Sequence, residues 1–107
     1  MHLTDEAINL LAQRFRILSE PVRVKTLHLL GACELSVNDL TVRLGTSQPN
    51  VSKHLKILLD AGIVGRRQEG NSVYYSIIDK SIFELCELVC GSLEKELRAK
   101  AEIFAAL

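Results

Sequence analysis

The stretch SQPNVSKHLKILLDAGIV, residues 47–64, decides how the rest of this chain is interpreted. Its first two turns carry mostly hydrogen-bonding and cationic side chains, and the inward apolar positions are Val51, Leu55 and Leu58. That spacing predicts a helix with one buried face, beginning after a Ser47 cap. Taken alone, the segment is either a solvated surface helix or a helix that offers its polar face to a partner.

A shorter helix precedes it at the spacing of a helix-turn-helix. SVNDLTVRLG, residues 36–45, opens with Ser36 and Asp39 in a capping-box pattern and ends at Gly45, a natural C-cap. In a helix-turn-helix the second helix enters the DNA major groove, and its N-terminal residues meet base edges. Amide and hydroxyl side chains at the helix start suit that role, because they both donate and accept hydrogen bonds.

A basic hairpin follows the second helix directly. Strand-forming residues flank a Gly-Asn pair, which predicts strands near 64–68 and 73–77 joined by a tight turn. Arg66 and Arg67 lie on the first strand and Asn71 lies at the tip, so the hairpin forms a basic wing. A polar helix followed by a basic wing favours DNA binding over a merely solvated surface.

Helical patterns occupy both ends of the chain. Thr4, followed by two acidic residues, predicts the start of a first helix. Ser19 before Pro21 predicts the start of a second helix, which Gly31 ends. From Asp79 a helical pattern reaches nearly to the C-terminus. Its apolar stripe, which would cover the core, a second copy of the chain or both, consists of Ile82, Leu85, Val89, Leu93, Leu97, Ile103 and Phe104.

The composition is that of one small globular domain. The chain has 107 residues, of which 48% are hydrophobic and 24% charged. Its formal net charge is zero, yet residues 43–68 hold five cations against one acid, a local charge of +4. No apolar run approaches the roughly 20 residues that span a bilayer, and the opening residues lack a signal-peptide pattern. We therefore expect a cytoplasmic protein with no membrane partner.

Together these segments resemble the ArsR/SmtB family of winged-helix repressors. The resemblance is carried by LSEPVRVKTLHLL (18–30), ELSVNDL (34–40), LGTSQPNVSKHLKILLDAGIV (44–64) and RRQEGNSVYYSI (66–77), in the family's order. Such proteins are bacterial homodimers that bind operator DNA and usually leave it when an inducer binds. The four motifs cover most of residues 18–77.

The resemblance implies one winged helix-turn-helix domain over residues 1–107, mainly α with a small β-hairpin in the order α-α-α-α-β-β-α. It also implies a homodimer through the first and last helices, residues 1–18 and 79–107, with the helix-turn-helix at 36–61 and the wing at 63–78. Its partner would be double-stranded operator DNA. The residues expected at the DNA are Ser47, Gln48, Asn50, Val51, Ser52, Lys53, His54 and Lys56 on the helix and Arg66, Arg67 and Asn71 on the wing.

Two inducer sites of that family are absent from this sequence. Where the family's thiol site has the form ELCVCDL, this chain has ELSVNDL, with Ser36 and Asn38 in place of both cysteines. The family's zinc site uses Asp and His on the last helix, and no histidine follows His54.

Three cysteines remain as candidate inducer ligands. Cys86 and Cys90 are one helical turn apart, and Cys33 lies between the second and third helices. If their thiolates converge, they suit trivalent arsenic or antimony. A thiol redox or reactive-sulfur switch would instead pair Cys33 with Cys86 or Cys90, with Cα atoms within about 7 Å. A third interpretation is that the cysteines are small core hydrophobes.

Two other classes of protein fit the sequence less well. No glycine-rich phosphate loop, Ser-His-Asp layout or recognisable pair of catalytic carboxylates is present, which argues against an enzyme. A winged-helix module that binds only protein would need neither a basic wing nor amides at the helix start. Salt dependence of DNA binding separates these classes, because phosphate contacts make affinity fall steeply with salt.

Overall fold

Five helices and three short strands make up the computed structural model, which describes residues 1–105. The helices are α1 (Asp5–Leu18), α2 (Pro21–Leu30), α3 (Val37–Leu44), α4 (Gln48–Asp60) and α5 (Ser81–Ala105), and the strands are β1 (Leu35–Ser36), β2 (Val64–Glu69) and β3 (Ser72–Ile77). The predicted order of helices, with a hairpin before the last one, is confirmed.

Polar caps set most helix boundaries. The Thr4 hydroxyl accepts the Ala7 N–H at 3.1 Å and starts α1, and Gly45 ends α3 with a left-handed φ of +67°. The start of α2 was predicted at Ser19, and the helix begins at Pro21 instead. The Ser19 hydroxyl donates to the Arg16 carbonyl at 2.7 Å and closes α1. The cap of α2 is Glu20, whose carboxylate accepts a backbone N–H from the first turn.

The sheet has one strand more than the sequence predicted. β1 is two residues long and pairs antiparallel with β3, which gives the strand order β1-β3-β2. The pairing of β2 with β3 runs from Val64–Ile77 to Glu69–Ser72, so the hairpin is one residue longer at the turn than predicted. Gly70 makes this tight turn possible, because its φ of +60° is costly for residues with a Cβ.

One hydrophobic core lies between α2, α3, α4 and the sheet. Helix α4 contributes three buried apolar side chains, at Val51, Leu55 and Leu58. Since these recur every three or four residues, the opposite face of α4 is left at the surface. The buried apolar side chains of this core are Leu27, Leu30, Leu40, Val51, Leu55, Leu58, Ile63, Val64, Tyr75 and Ile82.

The first and last helices lie largely outside this core. Helix α1 buries none of its side chains, and α5 buries only Ile82. The Cα radius of gyration is 17.0 Å, compared with about 13 Å expected for a compact chain of this length. Apolar side chains are therefore exposed along both helices, at Ile8, Leu10, Leu11, Phe15, Leu88, Val89, Leu93, Leu97, Ile103 and Phe104.

Candidate nucleic-acid interface

The start of α4 is fixed by local hydrogen bonds. The Ser47 hydroxyl accepts the Asn50 N–H at 3.3 Å, and the Asn50 side-chain amide donates to the Thr46 hydroxyl at 3.2 Å. Asn50 is half-buried as a result, whereas Gln48 and Ser52 are exposed. Gln48 and Ser52 are thus the side chains of this turn with the most freedom to reach a partner.

An open polar groove of about 380 Å³ separates α4 from the wing. Gln48 and Ser52 line it from the helix, and Arg66 and Asn71 line it from the wing. The structure therefore brings together four of the predicted DNA-binding residues. Asn38, in the first turn of α3, also lines this groove and was missed. An amide side chain in the first turn after the Ser36 cap could have pointed to this position in the sequence.

Two predicted DNA contacts are wrong, because their side chains are inside the domain. Val51 is 1% exposed and His54 is 6% exposed. Both lie on the inward face of α4, next to Leu55 and Leu58 in the helical repeat. His54 meets Arg23 of α2, whose Nη1 lies 2.9 Å from the imidazole Nδ1.

His54 is held in an environment that disfavours its charged form. Burial is the main cause that lowers its pKa, and the positive charges of Lys53 and Arg23 act in the same direction. The Glu20 carboxylate, 3.7 Å from Nδ1, opposes them. His54 is therefore a neutral internal group rather than a cation presented to phosphate.

Arg67 is not a free cation of the wing. Its guanidinium donates to both Glu34 carboxylate oxygens, with Nε at 2.9 and 3.0 Å, and to Glu69 at 2.6 Å. It also lies over the Tyr74 ring, 4.7 Å from the centroid. The hydrogen bond from Arg67 lowers the pKa of Glu34, and the two carboxylates raise the pKa of Arg67. The pairing with Glu34, 33 positions away, was not predicted from the sequence, and the role of Arg67 at DNA stays a prediction.

The remaining cations near the groove differ in their partners. Lys56 is paired with Asp60 at 3.2 Å, one helical turn away. Arg43, Lys53 and Arg66 form no ion pair with any residue from 1 to 105. These three are thus the cations most available to phosphate oxygens.

The three cysteines are free and exposed, and they do not converge within one chain. Cys86 and Cys90 border an apolar groove of about 400 Å³ between α2 and α5, and Cys33 does not line it. Burial, followed by the neighbouring Cys90 thiol, raises the pKa of Cys86. Within the described residues no group of three or more histidine, cysteine or acidic side chains is arranged to hold a metal ion. The predicted three-thiolate site is therefore not formed inside a single subunit.

Comparisons with known proteins agree with this geometry. A family model described as "Bacterial regulatory protein, arsR family" matches residues 20–65, from the cap of α2 to the start of the wing. The HTH-type transcriptional regulator Rv0081 of Mycobacterium tuberculosis is 32% identical over 105 residues, 97% of this chain and 92% of that regulator. The chain belongs to the arsR family of bacterial regulatory proteins.

Further relatives in sequence are also regulators. KmtR, an HTH-type transcriptional regulator of Mycobacterium tuberculosis, is 34% identical over 83 residues, 78% of this chain and 64% of KmtR. A probable mercury resistance operon repressor of Streptomyces lividans is 36% identical over 77 residues, 72% of this chain and 62% of the repressor. The chain thus spans slightly less than two thirds of these two relatives. The arsR family and these relatives are transcriptional regulators, not enzymes.

Solved structures show the same architecture. The crystal structure of Rv0081 superimposes with a TM-score of 0.83 and 31% identity, covering 92% of this chain and 99% of that one. A homodimeric winged helix-turn-helix DNA-binding domain from Mycobacterium bovis gives 0.73 and 28%, covering 89% and 91%. The AntR antimony-specific transcriptional repressor gives 0.80 and 26%, covering 92% and 89%. The predicted winged helix-turn-helix fold is confirmed for this arsR-family chain.

The described residues include no helix that is both long and apolar enough to cross a bilayer.

Proposed function

We propose that this arsR-family protein represses transcription from the cytoplasm by binding operator DNA, with the start of α4 in the major groove and the wing beside it. The observation that carries the proposal is the polar groove between these elements. Gln48 and Ser52 on one wall are suited to base edges, and Arg66 on the other is suited to a phosphate. The unpaired cation Lys53 lies in the same turn of α4 as Ser52.

The proposal requires two copies of the chain. Leu93 and Leu97 of α5 are 52% and 64% exposed, and Phe15 of α1 is 48% exposed. Contiguous exposed apolar surface marks an interaction site, and the homodimeric domain from Mycobacterium bovis supports self-association. We assign dimerisation to residues 1–18 and 79–107, the helix-turn-helix to 36–61 and the wing to 63–78. Two-fold pairing would separate two recognition helices by about one DNA turn, ~34 Å.

The test begins with duplexes enriched from a random-sequence library by the purified protein. Affinity for an enriched duplex should fall steeply as salt is raised, because phosphate contacts release counterions. Gln48→Ala should reduce the preference for the enriched over a scrambled duplex by about 1–3 kcal/mol. Lys25→Ala, an exposed polar residue on α2 outside the groove and outside the helices assigned to dimerisation, is the control and should leave the preference unchanged. No enrichment, or salt-independent binding, would contradict DNA recognition.

We propose that a thiol-binding inducer, trivalent arsenic or antimony, releases the protein from DNA. Cys86 and Cys90 are exposed one turn apart on α5, and Cys33 is exposed but separate. One chain therefore lacks a third thiolate beside this pair, and the second subunit would have to supply it. Similarity to the antimony-specific repressor AntR supports the soft-metalloid class. The alternative is a redox or reactive-sulfur switch that uses Cys33 with Cys86 or Cys90.

Titration of the reduced protein–DNA complex separates these inducers. Arsenite or antimonite should release the DNA, and Cys86→Ser should abolish release without weakening binding. Ser92→Cys, which adds a thiol on another face of α5, controls for the total number of thiols. Release by a persulfide donor but by neither metalloid would favour the redox alternative. Metalloid release that persists in the Cys86 variant would remove that residue from the ligands.

A further inference from the structure

A partly buried polar network connects the proposed recognition helix to the end of α1. The His54 imidazole, 6% exposed in the middle of α4, has its Nδ1 2.9 Å from Nη1 of Arg23. The same guanidinium donates through Nε to the Ile17 carbonyl in the last turn of α1, at 2.6 Å. One side chain of α2 thus holds both a backbone atom of α1 and a side chain of α4.

The charged groups around the imidazole come from two helices. Glu20 and Arg23 face it from the start of α2, and Lys53 is its neighbour on α4. The Glu20 carboxylate also accepts the Arg23 backbone N–H at 3.1 Å, so the cap of α2 belongs to the same network. Helix α1 contributes only the Ile17 carbonyl to the network, and this acceptor is uncharged.

The protonation state of His54 follows from the contact with Arg23. An arginine side chain has donors and no acceptor, so the Nδ1 that it meets must offer a lone pair. The imidazole is then neutral, with its proton on Nε2. A second proton on Nδ1 would set a donor against a donor and a cation against a cation. Glu20, at 3.7 Å, is the group toward which a charged ring would be drawn.

We propose that Arg23 and neutral His54 are positioning residues for DNA recognition, which hold α4 in its binding orientation relative to the dimer helix α1. The inference rests on the proposed function, since it assumes that α4 contacts DNA and α1 contacts the second subunit. In such a dimer the link from Ile17 through Arg23 to His54 sets how the two α4 helices face one DNA duplex. Both side chains act by fixing the orientation of α4 relative to α1, and neither contacts the DNA.

The consequence is a dependence of DNA affinity on pH. Protonation of His54 breaks the hydrogen bond to Arg23, so acid should weaken binding even though it adds positive charge. We expect affinity for an enriched duplex to fall about fivefold or more as the pH is lowered from 7.5 through the titration of the His54 ring. Because linkage is reciprocal, adding that DNA should move the imidazole titration of His54 to lower pH by the same factor.

A pair of variants tests the network in the full-length protein. His54→Asn keeps an acceptor close to the position of Nδ1 and does not titrate, so it should lack the loss of DNA affinity that acid causes in the wild type. His54→Leu has a similar volume without the acceptor, and it should bind about fivefold more weakly than His54→Asn at pH 7.5. Circular dichroism of each variant checks folding.

Nuclear magnetic resonance of the His54 ring in the wild-type protein, with and without duplex, keeps the test independent of variant folding. An unmoved titration midpoint on adding DNA, or equal pH dependence of wild type and His54→Asn, would overturn the inference while leaving DNA binding intact. Absence of wild-type binding at pH 7.5 would instead contradict the proposed function and this inference with it.

Discussion

The side chains of α4 form two groups, one that faces the groove and one that faces the core. Gln48 and Ser52 point to the groove, whereas Val51 and His54 are inside the domain. The apolar repeat predicted the burial of Val51 among the core positions, although it was also counted as a DNA contact. His54 was harder to predict, because a histidine among polar neighbours is usually exposed and its partner Arg23 is 31 positions away.

The buried imidazole predicts that stability depends on pH. Folding lowers the pKa of His54 below its ordinary value of about 6.5, mainly through burial, so the folded state binds this proton more weakly than the unfolded state. The stability contributed by the neutral ring is therefore complete above pH ~6.5 and declines as pH falls toward the lower folded value.

Urea unfolding at pH 7.5 and pH 5.5 measures this effect. The wild type should lose more unfolding free energy on acidification than His54→Asn does, because only the wild type titrates at this position. The comparison with His54→Asn removes contributions from His2 and His28, which are exposed. Equal losses in the two proteins would mean that His54 has the same proton affinity folded and unfolded.

Secondary-structure elements were predictable to the extent that local patterns set them. The caps at Thr4 and Ser36 and the glycine that ends α3 were correct, because each acts within one helical turn. Strand β1 was missed, since two residues leave no periodic pattern and form a strand only by pairing with β3. For the same reason, the ion pair that joins Glu34 to Arg67 of the wing was not visible in the sequence.

This ion pair predicts that Glu34→Gln strengthens non-specific DNA binding. The substitution removes the charge that pairs with Arg67, so this cation of the wing becomes more available to phosphate. The slope of log affinity against log salt should therefore steepen by about 0.9. Glu102→Gln makes the same charge change on exposed α5 and controls for net charge. Weaker binding by Glu34→Gln would show instead that the ion pair positions the wing for DNA.

The whole molecule presents more apolar surface than a stable monomer of this size needs. Helices α1 and α5 lie largely outside the core, with Leu88 74% exposed and Leu97 64% exposed. Helical periodicity predicted the stripe on α5, but it did not distinguish a stripe that covers the core from one that meets a second chain. The single chain leaves most of that stripe open, which favours the second chain.

Gly91 on α5 provides a test of this pairing. Apart from its two chain neighbours and the adjacent backbone of α5, a methyl group added there would meet no described atom within 4 Å, and alanine favours a helix interior over glycine by about 1 kcal/mol. An isolated chain should therefore be stabilised by Gly91→Ala. If a partner backbone approaches this position, the same change should weaken the dimer. We expect weaker association in sedimentation equilibrium, with Ser92→Ala as the control. An unchanged dimer with a raised Tm would contradict close approach at Gly91.

Hydroxyl-radical footprinting of the protein on an enriched duplex tests the central proposal most directly. A dimer that presents two α4 helices to one face of the DNA should protect two segments whose centres are about 10–10.5 base pairs apart. Gln48→Ala should weaken both protected segments together. A single protected segment, or uniform protection without preferred positions, would contradict recognition by a pair of α4 helices.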